Sequence, residues 1–145
     1  MSITTAVCNS FKKELLEGTH DLDTDIIKAA LIKVSPSGTY GAATTNFANV
    51  TDNSDEAVGS FYTSGGVELT TPSIALDGST AIVDFDDITF SSVTLSSIGC
   101  ILYNTSKSNK AIAVISFGGT ETCVNGDLVI TLPTANASNA IIRIT

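Results

Sequence analysis

The stretch IGCILYNTSKSNKAIAVISF, residues 98–117, decides the fold of this chain. It holds two apolar runs separated by TSKSN, a polar connection of the length that joins antiparallel strands. In the first run Cys100 alternates with Ile98 and Leu102, so these side chains share one face of a strand. The stretch therefore predicts a β-hairpin in which Cys100 serves as a small core hydrophobe.

The segments around this hairpin continue the strand pattern. Turns are predicted at FGGT, residues 117–120, and at Asn125-Gly126, while Pro133 ends the following strand. The further predicted strands are VELTT, TAIVDF, DITFSSVTL, DLVITLP and AIIRIT. Short strands spaced roughly 8 to 12 residues apart are typical of antiparallel sandwiches and barrels. We therefore expect a mainly β, jelly-roll-like sandwich or barrel, with its main strand region over residues 67–145.

One short N-terminal α-helix is predicted over residues 5–17. Val7, Phe11 and Leu15 recur at positions i, i+4 and i+8, and Gly18 follows at the position of a C-cap glycine. The residues that widen this apolar stripe are Cys8 and Leu16. A three-turn helix is marginal alone, so its stripe packs either on its own sheet or on a partner.

The residues before this helix are predicted to form a free arm, residues 1–5. Thr4 and Thr5 are the two candidates for its N-cap, since a threonine side chain can accept a hydrogen bond from the first turn. Lys12 and Lys13 face away from the apolar stripe. The arm, the stripe and these two lysines together form a candidate surface for a partner.

The middle of the chain divides into a strand and a long loop. IIKAALIKV, residues 26–34, fits a buried strand or a second helix, and its β-branched ends favour the strand. Residues 35–66 are rich in turn formers and predict an irregular excursion, with one short strand near residues 46–50. Long loops are often functional, and the aromatic candidates for partner contact there are Tyr40, Phe47, Phe61 and Tyr62.

Length and composition predict one β-rich domain over residues 1–145. Charged residues are 15% of the chain, against about 25% in typical domains. The net charge of −8 should repel nucleic acids and anionic membranes, so neither is an expected partner. Three cysteines without a C-x-x-C pair suggest free thiols in a reducing compartment, although the sequence does not exclude one pairing. No export signal or run of 18 apolar residues is visible.

Catalytic chemistry is not predicted. His20 is the only histidine, it follows Gly18-Thr19 in a turn that we expect to be exposed, and no nucleophile motif accompanies it. Cys8 lies near the predicted helix start, where a thiol can be acidified, but it also belongs to the apolar stripe. The sequence therefore predicts neither an enzyme nor a cofactor.

Three acidic residues form a weak candidate for a metal site. Asp21, Asp23 and Asp25 have the alternate spacing with which an EF-hand calcium loop begins. The pattern then fails, because Ile26 stands where the turn glycine is needed and Ile32 where the bidentate glutamate belongs. We therefore expect a solvated acidic turn and no metal.

Charge is distributed unevenly along the chain. Four of the seven basic residues lie in the first 35 positions, whereas the acidic residues of positions 52–87 have no basic neighbour. Such polarity suits an array in which one end of a subunit meets the opposite charge of another. Scattered solvating charge is the alternative explanation.

Several motifs resemble a family of small structural proteins from the virions of tailed bacteriophages. The matching elements are FKKELLEGTH (residues 11–20), SGTYGAATTN (37–46), IVDF (82–85) and YNTSKSNKAIAV (103–114). The resemblance covers about residues 10–145, which is nearly the whole chain. It implies a β-sandwich or barrel that is assembled in the host cytoplasm, and it offers no catalytic residues.

The resemblance implies a head decoration, or cement, protein on the outer surface of the phage head. Its expected partners are the major capsid protein, other virion proteins and further copies of itself, with a trimer favoured. The alternatives are a tail-tube, neck or baseplate component and a host-surface or carbohydrate-binding module. The candidate contact residues are Val7, Phe11, Lys12, Lys13, Leu15, Tyr40, Phe47, Phe61 and Tyr62.

Overall fold

The computed structural model describes residues 2–145 as two antiparallel sheets that share one core. The helices are α1 (Asn9–Leu16) and α2 (Ala48–Thr51), and the strands are β1 (Ala6–Val7), β2 (Ile27–Lys33), β3 (Val67–Glu68), β4 (Ser73–Asp77), β5 (Thr80–Asp84), β6 (Ile88–Asn104), β7 (Lys110–Ile130) and β8 (Ile142–Ile144). The large sheet has the order β1-β7-β6-β2-β3, and the small sheet has the order β4-β5-β8. The predicted mainly β, sandwich-like fold is confirmed, and the sheets do not close into a barrel.

The hairpin predicted from residues 98–117 is the centre of the large sheet. β6 and β7 pair from Asn104↔Lys110 at the connection to Ile88↔Ile130 at the far end. The connection is a 3₁₀ turn, Thr105–Lys107, followed by Ser108 and Asn109 in the left-handed conformation. Four of the predicted strands are therefore two long strands, because bulges let the chain continue without a turn.

Two predicted turns are in fact bulges inside β7. Ser97 pairs with Glu121 while Gly99 pairs with Ser116, so residues 117–120 protrude from the strand. Asn125 has a φ of 50° opposite Thr94, so Asn125-Gly126 bends β7 and does not begin a hairpin. These bulges interrupt an edge that β1 covers only at two positions, and such interruption discourages pairing with other chains.

The strand interpretation of residues 26–34 is confirmed, since β2 pairs with β6 along its length. Ala29 and Ala30, the residues that also fitted a helix, are fully buried. A Cβ atom at Gly66 would lie within 1.7 Å of the Ala29 carbonyl oxygen, and Gly66 has a φ of 81°. Position 66 therefore requires glycine, because the chain immediately before β3 lies against the backbone of β2.

The N-terminal prediction is correct in type and wrong at its start. α1 begins at Asn9 after an N-cap at Cys8, and Ala6–Val7 form strand β1 on the edge of β7. Residues 2–5 are not a free arm, because the Thr4 amide donates to Tyr40 and the Tyr40 amide donates to Ser2. Met1 lies outside the described residues. Pairing with β7 and with Tyr40 supplies hydrogen bonds to backbone groups that a longer helix would bond internally.

The excursion over residues 35–66 is organised around the buried carboxylate of Asp55. This carboxylate accepts hydrogen bonds from the Tyr40 hydroxyl at 2.6 Å, from the Ser37 amide at 2.9 Å and from the Gly38 amide at 2.8 Å. Lys33 Nζ lies 3.0 Å from Oδ1, the oxygen that also accepts from the Ser37 amide. The short strand predicted near residues 46–50 is wrong, because this part of the chain forms α2.

Acid is expected to weaken the fold through Asp55. Burial alone would raise the pKa of this carboxyl, but the Tyr40, Ser37 and Gly38 hydrogen bonds and Lys33 hold it well below the usual range. A depressed folded-state pKa stabilises the fold above about pH 4 and loses that contribution as pH falls further. The free energy of unfolding, measured with urea, falls between pH 6 and pH 2.5. This fall should be smaller for Asp55→Asn than for the natural chain by at least about 1 kcal/mol. Equal losses would contradict this role.

Candidate interaction surfaces

Two of the four aromatic residues proposed for partner contact are inside the protein. Tyr40 is 2% exposed and donates to Asp55, and burial together with this bond raises its pKa to about 12. Phe47 stacks on Tyr103 with ring centroids 4.3 Å apart. The prediction that Tyr40 and Phe47 contact a partner is therefore wrong. Residues 35–66 are rich in glycine, serine and threonine, and their aromatic rings Tyr40 and Phe47 pack in the core.

Tyr62 and Phe61 are neighbours with opposite roles. The Tyr62 hydroxyl donates to Glu56 at 2.8 Å and accepts from the Leu31 amide at 2.9 Å, so it fixes the loop to β2. Phe61 is 81% exposed and has a φ of 62°, a strained conformation for a bulky residue. The four aromatic residues do not form one exposed stacking platform, which weakens the carbohydrate-binding alternative.

Phe61 and Val58 are two exposed apolar side chains of one loop, and we name them the knob. Val58 is 89% exposed, and the residues between the two anchor the loop on β6. Ser60 and Thr94 exchange backbone hydrogen bonds of 3.2 and 3.1 Å. A Cβ atom at Gly59 would lie 2.1 Å from the Thr94 carbonyl oxygen, so only glycine permits this approach. The knob is thus held on a fixed piece of backbone.

The helix packs on its own sheet and leaves one side open. Phe11 is fully buried, its ring centroid lies 4.9 Å from that of His20, and the Cys8 amide donates to β7. At Phe11 and Cys8 the apolar stripe therefore packs on the protein's own sheet and not on a partner. Leu16, expected on the buried face, is instead 93% exposed, because five residues at about 100° each place it about 140° around the helix from Phe11.

An open groove of about 400 Å³ lies between α1 and β8, and we name it the helix groove. Its lining residues are Val7, Phe11, Lys12, Leu15, Leu16, Ile142, Arg143, Ile144 and Thr145. Within residues 2–145, neither Lys12 nor Arg143 makes an ion pair, whereas Lys13 points elsewhere and pairs with Glu17. The structure therefore brings four of the predicted contact residues together, Val7, Phe11, Lys12 and Leu15, and adds the C-terminal strand to them.

The small sheet carries a second exposed apolar surface. All five residues of β4 are exposed, and Ile74 and Leu76 point to the same face at 52% and 75% exposure. β4 is the outermost strand of its sheet, so its outer edge is unpaired. The sequence prediction missed this strand, although Gly78-Ser79 in LDGST is a hairpin signal that could have found it.

His20 lies in a buried polar cluster and not in the exposed turn that was predicted. Its Nδ1 accepts from the Asn104 side chain at 2.9 Å, and its Nε2 lies 3.3 Å from Glu14. Because Asn104 can donate only through Nδ2, Nε2 carries the proton that faces Glu14. Lys110 lies 3.1 Å from the other Glu14 oxygen. The cluster joins the end of α1 to the β6–β7 connection.

The acidic turn uses its carboxylates internally. Asp25 accepts from Asn104 at 2.7 Å and from the Asp21 amide, and Asp21 accepts from the Asp23 amide. Burial would raise the Asp25 pKa, but these bonds and Lys107 lower it. No group of three or more potential ligands within residues 2–145 is arranged to hold a metal ion. Asp21, Asp23 and Asp25 therefore gain no support as a metal site.

The three cysteines are free thiols in the structure. Burial, reinforced by Glu14, raises the pKa of Cys8 to about 11, and burial alone raises that of Cys100 to about 12. These two thiols are packing residues, since a reactive cysteine needs a lowered pKa.

Comparison with known proteins adds no assignment to these surfaces. Among residues 2–145, no helix is long and apolar enough to cross a bilayer. The chain matches no protein-family model, no curated protein and no solved structure.

Proposed function

We propose that this chain is a non-enzymatic virion protein that decorates the outside of a phage head and stabilises neighbouring capsid subunits. The observation that carries the proposal is the exposure of apolar side chains on a rigid framework. Leu16, Val58, Phe61, Leu76 and Val124 are between 71% and 93% exposed. Among these, Leu76 shares one face of β4 with Ile74, which is 52% exposed, and neighbouring exposed apolar side chains of this kind mark sites of protein contact. The resemblance of residues 10–145 to phage structural proteins is the reason for proposing a phage head as the particle.

The capsid contact is assigned to β4 and its neighbours in the small sheet. The outer edge of β4 offers unpaired backbone groups, and a strand of a partner can add to such an edge. Ile74 and Leu76 provide the apolar part of the contact. Many copies with modest contacts would together stabilise a head strongly, because the summed contact grows with copy number.

Leu76→Asp is expected to reduce binding to expanded heads that lack the protein at least about tenfold. The protein should remain folded, since this side chain is 75% exposed. Binding is measured by pelleting heads with increasing protein and quantifying the bound fraction. Val124→Asp is the matched control, because Val124 is 71% exposed on β7 and lies outside the small sheet. Equal binding by both variants would remove the assignment to β4.

A tail or neck component is the main competing function. It would be found at a few copies per particle or in tail fractions, and the isolated chain would assemble into rings or tubes. Head binding at a saturating ratio, with raised thermal stability of the heads, is the result expected for a decoration protein.

A further inference from the structure

We propose that the small sheet opens away from the large sheet as one unit, while the large sheet stays folded. The unit consists of β4, β5, β8 and the loop over residues 133–141. The closed form is the main state, and the open form is a minor excursion from it. This motion is a property of the chain alone, so it is tested without phage heads and separately from the proposed function.

No ladder of backbone hydrogen bonds joins the two sheets. Within residues 2–145, β4 and β8 pair only with β5, and none of the three pairs with a strand of the large sheet. The chain crosses between the sheets at residues 69–72, 85–87 and 131–132. The small sheet is therefore attached by three crossings and by side-chain packing, a condition under which part of a protein can open without the rest.

The loop before β8 belongs to the small sheet. The Ala137 amide donates to the carboxylate of Asp77, at the end of β4, at 2.6 Å. Arg143 of β8 donates to the Ala137 carbonyl oxygen at 3.1 Å. The loop is therefore bonded to both outer strands of the unit and moves with them.

Asp86 and Asp87 tie the three crossings together, and we name this pair the clasp. The Asp86 carboxylate accepts hydrogen bonds from the Thr71 hydroxyl at 2.6 Å and from the Thr70 hydroxyl at 3.2 Å. The Asp86 amide donates to the Thr70 carbonyl oxygen at 3.0 Å. The Asp87 carboxylate accepts from the Leu132 amide at 2.8 Å. Asp86 thus joins the first two crossings, and Asp87 joins the second to the third.

The clasp has the properties of a joint that can open. Asp86 and Asp87 are exposed, so water can replace their hydrogen bonds when the sheets separate. Thr71 has a φ of 53°, a strained conformation for a β-branched residue. Its hydroxyl bond to Asp86 holds the first crossing in this conformation, which opening can relax.

The packing of the small sheet against the rest of the protein is incomplete. Val83 and Ile142, which the small sheet contributes to the core, are 8% and 4% exposed, whereas Leu31 and Ile101 of the large sheet are fully buried. An open cleft of about 390 Å³ separates the small sheet from the end of α1 and the turn that follows it. The apolar side chains that line this cleft are Leu15, Leu22, Ile74, Ala81, Val83, Ile142 and Ile144. Opening therefore breaks only part of the core and costs less free energy than global unfolding.

Hydrogen exchange of the purified chain, followed by NMR at pH 7 in low concentrations of urea, tests the proposal. A detached sheet of three strands without a packed face does not keep its ladder, so the amides of the middle strand β5 report the opening. The slowest β5 amides should be protected at least about tenfold less than the slowest amides of β2 and β6. Their exchange should also depend less on urea, because less surface is exposed. Equal protection with the same urea dependence in all three strands would overturn the proposal.

Ile101→Val separates the opening from global unfolding. Ile101 is fully buried in β6 and stays packed in the open form. The substitution should lower the protection of β2 and β6 amides at least about twofold and leave that of β5 amides unchanged. A fall of the same size in β5 would mean that β5 exchanges only through global unfolding, and the proposal would be wrong.

Asp86→Ala tests the clasp. It removes the acceptor of the Thr70 and Thr71 hydroxyls, so the protection of β5 amides should fall at least about threefold. Protection of β2 and β6 should fall by the same factor, since the closed form is also the starting state of global unfolding. Asp84→Ala is the matched control, because it removes the same charge two positions away without touching the bonds of the clasp. Unchanged β5 protection in Asp86→Ala, or the same fall in Asp84→Ala, would refute the role of the clasp.

Discussion

Replacing Asp55 with alanine is expected to lower the free energy of unfolding by about 3–5 kcal/mol. The substitution leaves the Tyr40 hydroxyl and the Ser37 and Gly38 amides without their acceptor, and Lys33 without its counter-charge. Asp55 is fully buried, so water does not replace these bonds unless the loop opens.

Urea unfolding at pH 7 measures this loss, and Asp52→Ala is the matched control. Asp52 is exposed, and Asp52→Ala removes the same charge from the same segment. It should change the free energy of unfolding by no more than about 0.5 kcal/mol. A loss below 1 kcal/mol for Asp55→Ala would mean that the carboxylate does not organise residues 35–66.

Phe11→Ala is expected to destabilise the fold by about 3–5 kcal/mol, because it removes a fully buried ring from between α1 and the large sheet. Leu16→Ala on the same helix should change stability by no more than about 0.5 kcal/mol, since Leu16 is 93% exposed. Thermal or urea unfolding of both variants makes the comparison. If Phe11→Ala were as stable as the natural chain, α1 would not pack on its own sheet.

Phe11 and Leu16 were assigned to one apolar stripe, yet the structure gives them different surroundings. Successive helix residues are about 100° apart, so Leu16 lies about 140° around the helix from Phe11. Truncation of Phe11 should therefore lower the unfolding temperature, while substitution of Leu16 should leave it nearly unchanged.

The hairpin at residues 98–117 was predictable because alternation and a short polar connection are local signals. The length of its strands was not. Asn125-Gly126 and FGGT have the composition of turns. The chain accommodates them as bulges in β7, because β7 pairs with β6 both before and after each bulge. Tertiary pairing therefore overrides a local turn preference, and the sequence pattern contains no information about the partner strand.

The buried polar groups were the least predictable part of the molecule. Asp55 lies in a loop-like stretch and His20 follows a turn glycine, so both were expected to be solvated or passed unnoticed. Their burial depends on donors that are 15 to 84 positions away in the sequence, from Tyr40 for Asp55 to Asn104 for His20. Such contacts follow from the fold and cannot be read from neighbouring residues.

The exposed apolar surfaces were predicted in part. The helix stripe pointed to one wall of the helix groove, and Phe61 was identified as a candidate from its aromatic ring alone. Leu76 was missed because β4 was not recognised, and Val58 because an isolated valine in a loop has no distinguishing pattern. Exposure of an apolar side chain is a three-dimensional property, so it separates Phe61 from Tyr40 only once the core is known.

If this chain decorates the phage head, as we propose, it is present there in many copies. Quantitative mass spectrometry of separated head and tail fractions, with the major capsid protein as the internal standard, measures its copy number most directly. A decoration protein is expected in the head fraction in a near-stoichiometric ratio to the capsid subunits. A few copies per particle, or enrichment in the tail fraction, would contradict it.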